Sequence, residues 1–121
     1  QMTWEQFAGL VHTVGQVWGV YQGGNLVGFY WIEECDRILH LHGLVVKSTL
    51  QGQGIGTEVL NMLAQRYTGT MGAIELGVHE SNTRARALYE RLGYRTVRRL
   101  DDLGFHITQK PLAAERTDCA T

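Results

Sequence analysis

Apolar positions in residues 3–13 recur at helical spacing (Trp4, Phe7, Leu10, Val11), with Thr3 as N-cap and Gln6 as its capping-box partner. From Val14 the pattern becomes that of strands. Val14 to Tyr21 and Leu26 to Glu33 flank the turn signal Gly23-Gly24-Asn25, which predicts an antiparallel hairpin. Glu34 to Arg37 turns the chain into a third strand, Ile38 to Val46. A polar connection and a glycine-rich segment, Gln51 to Gly56, lead into a helix over Gly54 to Tyr67, where Ile55, Val59, Met62, Leu63 and Tyr67 share a face. Gly69 and Gly72 bracket its end. Ala73 to His79 reads as a buried strand, and Asn82 to Leu92 as a second helix closed by Gly93. Tyr94 to Leu100 and Leu103 to Gln109 form a last strand pair turning at Asp101-Asp102, and residues 113–121 read as a polar tail. The order predicts a mixed α/β (α+β) fold around one sheet, a single domain over residues 1–121 with its core in 14–112.

Composition narrows the function more than the fold. Eleven Lys and Arg stand against twelve Asp and Glu, so no bulk field draws nucleic acid or an anionic membrane. No apolar run approaches the ~18 residues that span a bilayer. Residues 1–10 lack the basic and apolar regions of a signal peptide. Cys35 and Cys119 make neither a disulfide framework nor a zinc set, which points to a reducing cytoplasm and no metal.

The segment Gln51-Gly52-Gln53-Gly54-Ile55-Gly56-Thr57 lies between a strand and a helix. Glycine admits positive φ and close ligand approach, and the free N–H groups of a helix start favour phosphate. A pyrophosphate cradle and an ordinary glycine turn both fit. The dinucleotide fingerprint G-x-G-x-x-G is excluded by Thr57, and the P-loop by the lack of a Gly-Lys-Ser/Thr triplet.

The context of that turn is more specific. It follows Leu44-Val45-Val46 and precedes Asn82-x-x-Ala85-x-x-Leu88-Tyr89-x-x-x-Gly93-Tyr94. In both signatures and their order, the chain resembles the GNAT superfamily of acyl-coenzyme A N-acyltransferases over about residues 14–112. The resemblance implies a mostly antiparallel central sheet, splayed between its fourth and fifth family strands and flanked by helices, with the first family strand and helix missing or shortened. It implies that acetyl-coenzyme A is the co-substrate. The amides of Gln51, Gly52, Gln53, Gly54, Ile55, Gly56 and Thr57 would hold its pyrophosphate. The strand of Leu44, Val45 and Val46 would pair with the pantetheine arm and offer an N–H to the thioester carbonyl. Asn82 would bond the pantetheine region, and Tyr89 would place its hydroxyl at the sulfur. Ser48 departs from the proline usual there. Ala85 lies between Asn82 and Tyr89 on one helix face, where a small side chain leaves room for a thin arm. Arg84 and Arg86 are expected to point away from that face, toward the adenosine 3′-phosphate or solvent.

His40 and His42, at i and i+2, leave one face of a strand, and Leu44 and Val46 are expected to continue it. The run His40-Leu41-His42 is similar to that of arylalkylamine N-acetyltransferases, where such histidines help deprotonate the amine. An ordinary histidine, with its pKa of ~6.5, suits that task, because an ammonium of pKa ~10 cannot attack. A proton relay, a hydrogen-bonded structural pair and a metal site compete; the last lacks a third and fourth ligand. Glu33, Glu34, His79 and Glu80 are further base candidates.

The reaction so implied is N-acetylation of a primary amine by direct attack. An oxyanion forms near Leu44 to Val46, and Tyr89 protonates or hydrogen-bonds the departing thiolate. Neither cysteine lies in a motif, so neither reads as an acyl carrier. The acceptor is a small molecule or a protein amine, and Trp18, Tyr30 and Trp31 are either its aromatic pocket or core. The short segment before the first strand leaves three explanations: a minimal form, an open acceptor site, or a homodimer completing it. The competing function is an acyl-coenzyme A sensor without turnover.

Overall fold

A computed structural model of the chain describes residues 16–113. The helix expected over residues 3–13, the strand start at Val14 and Cys119 lie outside the described residues. The elements are β1 Gln16–Gln22, β2 Asn25–Cys35, β3 Ile38–Val46, α1 Ile55–Tyr67, β4 Ala73–His79, α2 Thr83–Arg91, β5 Arg95–Leu100 and β6 Phe105–Pro111. β3 and β4 fill their expected bounds. β2 runs on to Cys35, because the turn contracts to Asp36-Arg37, both at positive φ (53° and 66°). That geometry matches the twist of a two-residue hairpin. A 3₁₀ turn, Ser48–Leu50, occupies the connection expected to be irregular.

The six strands lie in the order β1-β2-β3-β4-β6-β5, antiparallel except for β3 beside β4. A parallel step needs a crossover, and α1 supplies it. Pairing between β3 and β4 is confined to Ile38–His40 against Ala73–Glu75, although β3 continues to Val46 and β4 to His79. Past the His40–Glu75 rung the strands part and the sheet is open, at the place expected for the splay.

Helix α1 presents Ile55, Val59, Leu60 and Leu63 to one face of the sheet, against Tyr30, Ile32, Leu39, Leu41, Ile74 and Leu76. Each such side chain contributes roughly 1.5–3 kcal/mol of burial free energy, so this face anchors the fold.

One irregularity decides which strand residues reach that face. In the β2–β3 register Trp31 opposes Gly43 and Ile32 opposes Leu41, leaving His42 as an extra residue in a β-bulge. A Cβ on Gly43 would lie 2.1 Å from the Trp31 ring, so the ring occupies the space that a side chain would need. The extra residue shifts the alternation by one. Leu39, Leu41, Leu44 and Val46 therefore all belong to the core cluster on the α1 face. This corrects the expectation that Leu44 and Val46 continue the face of His40 and His42.

Candidate active site

A crevice of about 620 Å³ opens on the α1 face where β3 and β4 separate. Leu44 and Val46 of β3 form its floor, Gln51, Gly52 and Gly54 its turn, and Ile55, Gly56 and Thr57 the start of α1. Gln51 secures the turn by donating from Nε2 to the Val46 carbonyl at 3.0 Å. Gly52 and Gly54 both sit at φ 85°, a left-handed conformation that glycine adopts without strain. Gly54 is the N-cap of α1 and gives no side-chain cap. The first turn's amides thus face outward without a capping oxygen, with the positive end of the helix dipole behind them.

Helix α2 forms the opposite wall with Asn82, Ala85 and Tyr89. Asn82 is its N-cap, its Oδ1 accepting from the Ala85 N–H at 3.2 Å, which leaves the Nδ2 hydrogens for another acceptor. At the other end Gly93 lies at φ 100°; its N–H reaches the Glu90 carbonyl at 3.1 Å, and the Tyr94 N–H reaches the Tyr89 carbonyl at 2.9 Å. This Schellman closure tucks Tyr94 into the core at 1% exposure, its ring centroid 5.8 Å from that of Tyr89. Burial pushes the Tyr89 phenol above its usual value, and that of Tyr94 much further. The Tyr94 hydroxyl is buried with no hydrogen-bond partner among the described residues.

Of the expected binding residues, Val45 and Gln53 do not line the crevice. Leu50, Leu60, Leu88 and Arg91 line it unforeseen, and Arg84, expected at the adenosine 3′-phosphate or in solvent, lines it too. Arg84 corrects its expected outward direction: its guanidinium reaches back to Gly52, 3.9 Å from where a Cβ would stand. Arg86 instead donates to the Glu80 carbonyl at 3.2 Å. Among the described residues the crevice lining has two arginines and no carboxylate. Together with the helix start, that is an electropositive lining of the kind that suits an anion.

The histidines lie on the opposite face of the sheet. His42 Nε2 is 2.9 Å from Glu33 Oε1, and His40 Nδ1 is 3.3 Å from Glu75 Oε2. The two rings are nearly parallel, 6.1 Å apart. Trp31 belongs to this face. Tyr30 is a core residue on the other, and Trp18 opposes Tyr30 in register, with the Arg66 guanidinium over its ring. The three aromatics therefore do not form one pocket. His79 accepts the Ser81 N–H at Nδ1 and packs edge-on to Phe105. Glu34 sits beside Tyr67, whose phenol it helps push up after burial.

The sequence profile described as the Acetyltransferase (GNAT) family matches residues 2–94, more than half of the chain. The chain belongs to this family. As a GNAT acetyltransferase it is an acyl-transferring enzyme. Solved structures share the GNAT fold. An IAA acetyltransferase from Bacillus cereus is 22% identical, with TM-score 0.75 over 91% of this chain and 85% of that one. The ribosomal-protein-S18-alanine N-acetyltransferase of Escherichia coli is 22% identical, with TM-score 0.74 over 94% and 79%. A GNAT acetyltransferase from Elizabethkingia anophelis, solved with acetyl-CoA bound, is 17% identical, with TM-score 0.77 over 89% and 83%. No curated protein matches the chain.

Proposed function

We propose that the chain moves an acetyl group from acetyl-coenzyme A directly to a primary amine. The observation that carries this reading is the crevice. A helix start and two arginines meet there, and among the described residues β3 beyond His40 has no strand partner on its β4 side. Those free main-chain groups suit an extended pantetheine arm, as an added strand would. The pyrophosphate would rest on the amides of the turn and of Ile55, Gly56 and Thr57. Asn82 Nδ2 would donate to the arm, and Ala85 leaves room for it. Arg84 and Arg91 would meet the remaining phosphate charge. The Elizabethkingia relative, solved with acetyl-CoA bound, supports the choice of carrier.

Through the splay, an acetyl group lying on the α1 side would be reached from the histidine face. The amine would lose a proton to His40 or His42, directly or through water, and attack the carbonyl. A main-chain N–H near Leu44 to Val46 would hold the oxyanion. Tyr89 would stabilise the departing thiolate. Its buried phenol stays protonated well past neutrality, and passing the proton to a thiolate of conjugate-acid pKa ~8.5 is uphill by ~2 kcal/mol or more. We therefore assign Tyr89 a hydrogen bond to sulfur rather than the proton itself. An acyl-enzyme is disfavoured at Cys35, whose exposed thiol is raised chiefly by the Asp36 carboxylate.

The test pairs calorimetry with acetyl-coenzyme A and a thiol-release assay. The amine panel is phenethylamine, spermidine, an aminoglycoside, an amino acid and a peptide with N-terminal alanine; the last follows the activity named for the Escherichia coli relative. Binding with amine-dependent thiol release, in a ternary-complex kinetic pattern, is expected. Binding without release from any amine would reduce the site to a sensor, and absence of binding would end the proposal.

A further inference from the structure

Glu75 was no candidate on sequence, since it looks like one polar position in a strand. The sheet places it at the last rung joining β3 to β4, paired with His40 where the opening begins. Its Oε2 is 3.3 Å from His40 Nδ1, and its Oε1 accepts from Gln109 Nε2 at 2.8 Å. The Glu75 side chain is 17% exposed and that of His40 28%, so neither partner is freely solvated. Gln109 comes from β6, directly opposite Glu75 in register, and holds the carboxylate from the far side.

We infer that Glu75, steadied by Gln109, is the positioning residue that makes His40 the proton acceptor. The inference rests on the histidine relay proposed above and deepens it. An ionised carboxylate offers only lone pairs, so the ring nitrogen facing it carries the hydrogen. His40 is thereby held with the proton on Nδ1 and the lone pair on Nε2. When the ammonium gives its proton to Nε2, its own electron pair is freed for the carbonyl. The ring becomes an imidazolium beside the Glu75 carboxylate and later releases that proton to solvent; the second proton of the attacking nitrogen, acidic once the carbon–nitrogen bond forms, goes to the thiolate as the carbon–sulfur bond breaks, giving the free thiol. His42 is tied through the other nitrogen: Nε2 faces Glu33, leaving Nδ1 open. The charged or titratable groups facing His40 are thus Glu75 from β4, Glu33 opposite it on β2 and His42 on its own strand.

The test uses the full chain, its His40→Ala, Glu75→Ala and Glu75→Gln variants, and the His40→Ala/Glu75→Ala double variant. Turnover is read with whichever panel amine reacts, and tautomers by nitrogen-15 NMR of the imidazoles, which needs no substrate. His40→Ala should lower kcat by about 100-fold or more. Glu75→Ala should lower it by about 10-fold or more, with acetyl-coenzyme A affinity within about two-fold of the parent. The double variant should be no worse than His40→Ala alone, because a residue acting through His40 has nothing left to act on. Neutral His40 should carry its hydrogen on Nδ1 in the parent and shift toward Nε2–H in Glu75→Ala. Should Glu75→Ala fold poorly, Glu75→Gln, which keeps the shape and loses the charge, should still lower kcat. Losses that multiply in the double variant, or a His40 tautomer indifferent to Glu75, would overturn the inference. Parent-level kcat in His40→Ala would instead remove the relay itself, leaving cofactor binding intact in calorimetry.

Discussion

Replacing Tyr89 by Phe removes one hydroxyl from a half-buried ring and leaves the ring's packing on Tyr94 in place. The hydroxyl is worth most when the neighbouring sulfur carries negative charge, as the carbon–sulfur bond breaks. A hydrogen bond to a charged partner contributes about 1.5–3 kcal/mol, and every 1.36 kcal/mol is a factor of ten in rate. The expected loss in kcat is therefore on the order of 10- to 150-fold. The same hydroxyl meets only an uncharged thioester in the ground state, so calorimetric affinity for acetyl-coenzyme A should change by less than about three-fold. Burial raises the Tyr89 phenol, so the parent's kcat should show no alkaline decline from this group below about pH 10. Steady-state thiol release between pH 6 and 10, with saturating amine, supplies both measurements. An unchanged kcat in Tyr89→Phe, or a loss confined to cofactor binding, would refute the assignment of Tyr89 to the leaving group.

Gly54→Ala places a side chain at φ 85°, which costs roughly 1–2 kcal/mol, read as a lower denaturant midpoint, and it should weaken acetyl-coenzyme A binding along with stability. Arg84→Ala should weaken that binding by about 10-fold, flatten its salt dependence and leave kcat near the parent value. Tyr94→Phe deletes a buried hydroxyl without a partner, so melting temperature should hold or rise, by as much as about 4 °C per kcal/mol recovered. Alkaline stability follows from the same group. The folded state keeps Tyr94 neutral above the unfolded pKa of ~10, so its contribution is complete below that pH and fades as pH climbs beyond it. Tyr94→Phe should move alkaline unfolding to higher pH, and an identical unfolding curve would count against burial as the cause.

Local signals carried most of the architecture. Periodicity located all six strands to within about two residues of their described bounds, and both described helices, because alternation and 3.6-residue spacing record which face is buried. The last two residues of β2, to Cys35, hid behind a turn formed at two non-glycine residues. Gly93 announced the end of α2, since a left-handed residue there is nearly a glycine prerogative. The glycine turn and the Asn82-to-Tyr89 face were readable for the same reason: each motif is one contiguous piece of chain whose geometry follows from its own residues.

Contacts between distant segments were not readable in that way. The bulge at His42 depends on Trp31 lying over Gly43, a meeting of two strands that neither sequence segment records, and it alone sends the histidines and Leu44 to opposite faces. Arg84 turns inward toward Gly52, a residue of the separate turn before α1, a meeting that neither segment records. Glu75 acquires a role only when β4 lies parallel to β3 and β6 brings Gln109 from the far end of the chain. The sequence by itself determined the elements and the glycine turn ahead of α1, whose causes are local. The tertiary structure decided which face each strand residue serves, because one unpaired residue in a sheet reverses every position beyond it.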